Sequence, residues 1–326
     1  MRALVVSNML PDSAHPERGR FVRDQVTALG TLEGLDVELY EFAPGAPALA
    51  RAAADLRGRF ARRPARAARV AGRDRPQGFD VVHAHFGLTA WPAFAVPARV
   101  RALTLHGTDV RHPRTLLATL AALPLIDVLA TASASLAQEL PLRAARRRSQ
   151  VLPCGVDVER FHRIPRDQAR SELGLDLERP CVLFPADPAR GEKRHDRAMA
   201  LASQTGAELL TLGGIDPLRV PLWVNAANAV LVPSDREGFG LAALEALACD
   251  VPVLATPVGV HAEALAGVEG ALCAPFDLER WGAALQIHLE ERDPRVNGRS
   301  HAVRFSATQM AERVAGAWGT ALQRSG

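Results

Sequence analysis

Val230-Leu-Val-Pro-Ser-Asp-Arg-Glu-Gly-Phe-Gly-Leu-Ala-Ala-Leu-Glu-Ala-Leu-Ala-Cys-Asp-Val-Pro-Val-Leu-Ala255 reads as strand, loop, helix, strand. The two ends are short, wholly apolar runs. Strands of that kind belong to parallel sheets covered on both faces. Between them lies an apolar helix over Gly240–Cys249, opened by a glycine-containing turn. The turn carries Glu237, Gly238, Phe239, Gly240 and Leu241, and the helix carries Glu245. Gly238 and Gly240 let backbone approach a ligand closely. The start of the helix offers unpaired N–H groups that suit a phosphate or diphosphate. Carboxylates such as Glu237 and Glu245 accept hydrogen bonds from vicinal sugar hydroxyls. Their eight-residue spacing reads as about two turns of local helix, and the plain alternative is a helix cap followed by an exposed glutamate.

The same alternation runs outward in both directions. Toward the N-terminus, strands are expected at Arg2–Ser7, Val37–Phe42, Asp80–His85, Ala102–His106, Val128–Ala132 and Gln150–Pro153. Helices are expected at Gly19–Leu32, Leu49–Val70, Thr89–Val96, Arg114–Ala122 and Ser133–Leu140. Around the opening stretch, strands at Cys181–Phe184, Glu208–Leu212 and Ala271–Cys273 join the two already named. Helices there are expected at Arg194–Ser203, Pro217–Ala226 and Leu278–Glu290, with a terminal helix from Ala307 to Leu322. Gly155–Pro165 is rich in turn residues and marks a boundary. The reading is two doubly wound α/β domains, 1–160 and 161–326, with the last helix a candidate to cross back to the first. A chain of 326 residues is long enough for two cores.

Composition narrows the function. Hydrophobic residues make up 48% and charged residues 23%, as in a soluble globular protein. No uninterrupted apolar run reaches the length of a membrane span. The first residues read as a strand and not as a secretory signal, so a cytoplasmic location is expected. Cys154, Cys181, Cys249 and Cys273 are far apart, which argues against structural zinc and a disulfide framework. The net charge of +3 is uneven: residues 1–165 carry an excess of eight positive charges, clustered at Arg57–Arg75 and Arg143–Arg148. Two readings compete for those clusters. One is contact with an anionic membrane surface or a phosphorylated acceptor, and the other is ordinary solvated helix faces. One tyrosine and 5% aromatics give no stacking platform, so nucleic acid is not an expected partner.

Other polar residues stand at strand ends, where open parallel sheets bind ligands. His106 follows one strand. It can donate to a substrate or satisfy nearby carbonyls. His83 and His85 share a strand face, but no third ligand has metal-site spacing, and no metal is expected. Lys193 is the only lysine in the chain. With Arg190 and Arg194 it can neutralise a diphosphate leaving group, or the three can form a solvent-facing basic loop. G-x-G-x-x-G after the first strand, G-x-x-x-x-G-K-[ST] and G-x-S-x-G are all absent, against a nicotinamide enzyme, a P-loop ATPase and an α/β hydrolase.

Taken in order, Phe79-Asp-Val-Val-His-Ala-His85, Leu105-His-Gly-Thr-Asp109, Leu152-Pro-Cys-Gly-Val-Asp-Val-Glu-Arg-Phe161, Val232–Glu245 and Ala248–Gly259 resemble the family 4 glycosyltransferases, over nearly the whole chain. The resemblance implies the GT-B fold and a retaining transfer from a nucleotide diphosphate-sugar to a glycan, lipid-linked or small-molecule acceptor. No tightly bound cofactor or metal is implied. It also assigns roles. Glu237 would contact the donor sugar near the reacting carbon, Glu245 would bind the ribose, and Lys193 would stabilise the diphosphate. His106 would face the donor sugar, and Gly19 would leave room for phosphate or acceptor. Three departures stand out. Pro185-Ala186 replaces a customary Gly-Arg pair, with Arg190 as the substitute cation; the N-terminal loop has Gly19 alone; and the stretch from Gly213 to Ala226 is short. They leave two alternatives: a catalytically degenerate protein that binds a sugar nucleotide or a partner, and a GT-B-like epimerase or phosphorylase.

Overall fold

The computed structural model describes residues 1–13, 15–60 and 78–325. Most of the basic run 57–75, and the expected helix beyond Phe60, lie outside the described residues. The chain forms two compact units. The first takes Met1–Asp12, Arg18–Pro153 and Met310–Gly326, and the second takes Ser13–Glu17 and Cys154–Gln309.

In the first unit, β1 (Arg2–Ser7), β2 (Asp36–Glu41), β3 (Phe79–His85), β4 (Ala98–Leu105), β5 (Val128–Thr131) and β6 (Gln150–Val151) form one parallel sheet, ordered β2-β1-β3-β4-β5-β6. In the second, β7 (Cys181–Phe184), β8 (Glu208–Thr211), β9 (Ala229–Val232), β10 (Val253–Ala255) and β11 (Leu272–Cys273) form another, ordered β11-β10-β9-β7-β8. These are the eleven strands expected from the sequence, to within a few residues at each end. Their central members are apolar and fully buried, and helices cover them. Leu4, Val82, Leu103 and Leu129 anchor the first core. Val182, Phe184, Leu231, Leu254, Trp281 and Leu285 anchor the second.

Both sheets reverse direction of growth at one point, between β1 and β3 in the first and between β7 and β9 in the second. In open parallel sheets the crevice beyond the carboxyl ends at such a reversal is where ligands bind. His85 ends β3 and His106 follows β4. Lys193 follows β7 and Glu237 follows β9.

The chain divides after Pro153, ahead of the boundary at 160 read from the sequence. Backbone pairing explains the position. Val156 N–H donates to the Phe305 carbonyl at 2.9 Å, and Ala307 N–H donates to the Val156 carbonyl at 2.8 Å. Arg299 grips the carbonyls of Val158 and Phe161. The turn-rich segment is therefore stitched into the second unit. Five short helices escaped the sequence reading: Thr108–Arg111, Arg143–Arg148, Arg166–Leu173, His261–Ala264 and Arg299–Ala302. Arg166–Leu173 shows why. Its inward face carries Arg166 and Arg170 beside Ala169, so apolar periodicity does not mark it.

Candidate active site

The loop Pro233–Gly240 joins β9 to the helix Leu241–Ala248. Glu237 lies in this loop and not in the helix, so the eight residues to Glu245 span a non-helical stretch and little more than one helical turn. This corrects the two-turn spacing expected above. The glycines shape the loop. Gly240 sits at φ 108°, and a Cβ there would come within 2.4 Å of His261 Nε2. Gly259 sits at φ 61°, where a Cβ would strike the Phe239 carbonyl oxygen at 2.2 Å and Glu237 Cβ at 2.9 Å. Both positions exclude a side chain on backbone geometry and on space.

Glu237 is the most constrained residue of the site. Lys193 Nζ donates to both its carboxylate oxygens, at 2.7 and 2.6 Å. Ser234 Oγ donates to Oε1 at 2.7 Å. The side chains of Lys193 and Glu237 are 16% and 7% exposed, so the pair is shielded from bulk water. Burial pushes the Glu237 carboxyl up, but the Lys193 ammonium and the hydrogen bonds from Lys193 and Ser234 hold it below its ordinary value. Glu237 is ionised at neutral pH. Behind it, Thr256 Oγ1 donates to the Ser234 carbonyl at 2.5 Å, and His261 Nδ1–H donates to the Thr256 carbonyl at 2.9 Å. Burial lowers the His261 pKa, so this ring is neutral and donates through Nδ1. Ser234, Thr256 and His261 thus brace the loop. Sequence reading missed all three: Thr256 reaches back 22 residues to Ser234, and the Ser234–Glu237 and Thr256–His261 bonds, three and five residues apart, follow irregular loop geometry and no helix or strand period.

Gly238, Phe239, Gly240 and Leu241 lead into the helix start, and Glu245 is half-buried in it. Arg190 does not join the Lys193–Glu237 pair. Its guanidinium donates to Glu192 Oε1 at 2.8 Å, and its side chain is 57% exposed. Arg194 and Arg197 pair with Asp235 at 3.1 and 2.9 Å. Ala186 packs against the apolar core of its unit.

In the first unit, the turn after β4 presents His106. The buried Asp109 carboxylate holds that turn by accepting the N–H groups of His106 at 3.1 Å and Gly107 at 2.8 Å. An aspartate two or three residues after a histidine–glycine pair is a recognisable backbone clamp, and its role here could have been read from sequence. His106 packs against Phe21 and Phe86, with ring centroids 4.9 and 4.7 Å away. Burial pushes its pKa down to about 3. Gly19, at φ 70°, precedes the helix Arg20–Leu29, and a Cβ there would strike the Met9 carbonyl oxygen at 2.4 Å. Among the described residues no group of three or more His, Cys, Asp or Glu side chains forms a metal site. The four cysteines are free thiols. No helix among the described residues is long and apolar enough to cross a membrane.

Two doubly wound parallel-sheet units, each with polar side chains beyond the carboxyl ends at its reversal point, have the architecture of the GT-B fold. Comparison with known proteins specifies the family. Residues 19–160 match the family model "Glycosyltransferase Family 4", and residues 190–304 match "Glycosyl transferases group 1". The D-inositol 3-phosphate glycosyltransferase of Geodermatophilus obscurus is 30% identical over 305 residues, covering 76% of this chain and 68% of that protein. The enzyme of the same name from Stackebrandtia nassauensis is 28% identical and covers 92% and 81%. Among solved structures, Anabaena HepE in complex with UDP and glucose superposes with a TM-score of 0.69 at 14% identity, over 98% of this chain and 100% of that one. The sucrose-phosphate synthase of Thermosynechococcus elongatus gives 0.66 at 19%, over 98% and 99%. The chain belongs to the family 4 glycosyltransferases.

Proposed function

We propose that this enzyme transfers a sugar, with retention of configuration, from a nucleoside diphosphate-sugar to a glycan, lipid-linked or small-molecule acceptor. The observation that carries the reading is the shielded Lys193–Glu237 pair at the reversal point of the second sheet, beside the glycine-bounded start of the helix Leu241–Ala248. The N–H groups of the Gly238–Leu241 segment seat the diphosphate. Lys193 supplies a compact positive charge where negative charge grows as the bond breaks. Glu237 accepts hydroxyl hydrogen bonds from the sugar, Glu245 accepts those of the ribose, and His106 faces the sugar. Gly19 keeps the loop after β1 clear for phosphate or acceptor. Arg190 joins the diphosphate only by leaving Glu192. In the reaction the bond from the anomeric carbon to the diphosphate oxygen breaks. The acceptor oxygen bonds to the same face, and its proton passes to the departing diphosphate. No protein nucleophile is required, nor a resident cofactor or metal.

A thermal-shift screen against UDP-, GDP-, ADP- and dTDP-sugars, with and without magnesium, tests the donor site. One nucleotide class is expected to raise the melting temperature, by roughly 2.7 kcal/mol of linkage at a hundredfold excess over Kd. Glu245→Ala is expected to abolish that shift while leaving the unliganded melting temperature nearly unchanged. No shift with any donor at millimolar concentration would count against the reading. The acceptor panel starts with phosphorylated polyols, because the curated relatives are named for D-inositol 3-phosphate.

The charge of the first unit supports an anionic acceptor or surface, and a cytoplasmic enzyme working at the inner face of a membrane. Arg143, Arg146, Arg147, Arg148 and Arg324 have no carboxylate partner among the described residues. Leu125 and Leu142 stand exposed beside them, and Arg148 donates to the carbonyl of Ile126, next to Leu125. Vesicles containing phosphatidylglycerol are expected to sediment the protein at low salt, whereas pure phosphatidylcholine is not. Arg146→Ser with Arg147→Ser is expected to weaken that binding about 30-fold, at about 1 kcal/mol for each charge. Equal binding to both vesicle types would refute a charge-driven contact.

A further inference from the structure

We propose that His85 is a positioning residue that fixes which nitrogen of His106 carries the proton. Three imidazole rings of the first unit, His83, His85 and His106, lie side by side at the ends of β3 and β4. β3 alternates, so His83 and His85 share a face, and its parallel register sets His85 opposite Thr104 of β4. His106 therefore lies just beyond the sheet, within reach of His85. His85 Nδ1 and His106 Nε2 are 2.9 Å apart, a hydrogen bond in which one must donate and the other accept. The His85 ring lies against His83, with centroids 4.8 Å apart at 24°. It is nearly coplanar with His106, with centroids 5.1 Å apart at 19°, the edge-to-edge placement that an N–H···N bond needs. Trp318 of the last helix meets His83 edge-on at 5.5 Å, which closes the far end of the row.

The unused nitrogen decides the direction of the bond. His85 is 1% exposed, and its Nε2 has no partner. A proton on Nε2 would leave an N–H buried and unpaired, which folded proteins rarely tolerate. A proton on Nδ1 leaves only a bare lone pair there. His85 therefore donates from Nδ1, and His106 accepts at Nε2. A neutral imidazole carries one proton, so the proton of His106 must be on Nδ1. The half-buried His106 ring then has a hydrogen-bond donor left over. If His106 faces the donor sugar, as proposed above, it offers that oxygen-rich substrate an N–H and not a lone pair. With the opposite tautomer it would offer a lone pair to groups that are mostly acceptors.

Two substitutions at one position test this. In His85→Asn the side-chain amide nitrogen takes the place of Nδ1 and can donate to His106. In His85→Leu the cavity stays filled and no donor remains. Nitrogen-15 spectra of histidine-labelled protein are expected to show His106 protonated at Nδ1 in the wild type and in His85→Asn, and at both nitrogens in exchange in His85→Leu. The kcat/KM of His85→Leu is expected to fall about 10- to 100-fold, as for outer partners that orient a functional histidine, and His85→Asn is expected to recover most of it. His106 protonated at Nε2 in the wild type would overturn the proposal, as would a tautomer that His85→Leu leaves unchanged. The role of His106 is tested separately. If His106→Ala transfers sugar at the wild-type rate while the spectra behave as expected, the donor-facing reading falls and the coupling between the rings stands.

Discussion

Lys193→Ala is expected to lower kcat/KM for sugar transfer by about 10²–10³-fold, the loss typical when one preorganised stabiliser of transition-state charge is removed. Glu237→Gln is expected to lose at least as much, since it removes a sugar contact and leaves Lys193 unpaired. Lys193→Arg keeps the charge but replaces a compact ammonium with a planar fork, and is expected to recover only part of the activity. The stability consequence separates a structural pair from a working one. The two side chains are 16% and 7% exposed, and Lys193 donates to both oxygens of Glu237. Removing the lysine strands a buried carboxylate, at a cost of about 3 kcal/mol. The protein should still fold, so loss of activity can be measured on folded material. Full turnover by Lys193→Ala would overturn the assignment of the diphosphate contact.

The pH dependence of stability follows with a definite sign. Glu237 is held below its ordinary 4.5 in the folded protein. Its contribution is complete above about pH 4.5 and is lost as acid takes the pH down through the lower folded value. The histidines act earlier. Burial pushes His83 and His106 from 6.5 down to about 3. The unfolded chain binds protons there that the folded one refuses, so stability starts to fall below about 6.5 and keeps falling toward 3. Urea unfolding at pH 7, 5.5 and 4 should show a histidine slope that steepens at the acid end in the wild type. In Lys193→Ala burial acts on Glu237 unopposed by the cation, its carboxyl moves up, and acid relieves part of the penalty. The steepening should shrink.

Much of this was legible in the sequence because parallel strands announce themselves. Cys181–Phe184 and Val253–Ala255 are uniform apolar runs, and the structure begins and ends them at the same residues. Glycines that precede a helix mark a backbone approach, and Gly240 has the positive φ that such an approach needs. What stayed hidden was pairing within irregular loops. No helix or strand period says that Ser234 bonds Glu237, that His261 supports the Thr256 carbonyl, or that Arg190 turns to Glu192, although each pair is only two to five residues apart. The return of residues 310–326 to the first unit rests on contacts far apart in the chain, and the sequence offered it as a candidate only. The helix Arg166–Leu173 was concealed by chemistry, since a buried arginine looks like a surface residue in any periodicity count.

That buried arginine carries the largest stability effect expected here. Arg170 is fully buried, and its guanidinium has no carboxylate partner among the described residues. Its donors go instead to the carbonyls of Ala226, Asp176, Leu177 and Arg179, to Asn228 Oδ1 and to Cys181 Sγ, at 2.8 to 3.0 Å. Asn228 continues the network, accepting from Cys181 N–H and donating to the carbonyls of His288 and Glu291. Arg170→Met fills the space but strips the donors from several acceptors at once. At about 1–3 kcal/mol for each acceptor left unpaired, and with water reaching the exposed 176–179 turn, a net loss of about 4 kcal/mol is expected. That corresponds to a melting temperature lower by about 10 °C for a unit of this size. Arg170→Lys, with three donors in place of five, is expected to fall about halfway. Arg292→Ala is the control, since its ion pair with Asp167 is 65% exposed on the arginine side and should matter by less than about 0.5 kcal/mol. An Arg170→Met protein that melts within a degree or two of the wild type would mean that water replaces the guanidinium. The consequence reaches the site. Cys181 opens β7 and Asn228 immediately precedes β9, so Arg170 ties together the amino ends of the two strands whose carboxyl ends lead to Lys193 and Glu237. Loosening that tie is expected to raise KM for the donor before the unit unfolds, because the Lys193–Glu237 pair is held only as accurately as the strands beneath it.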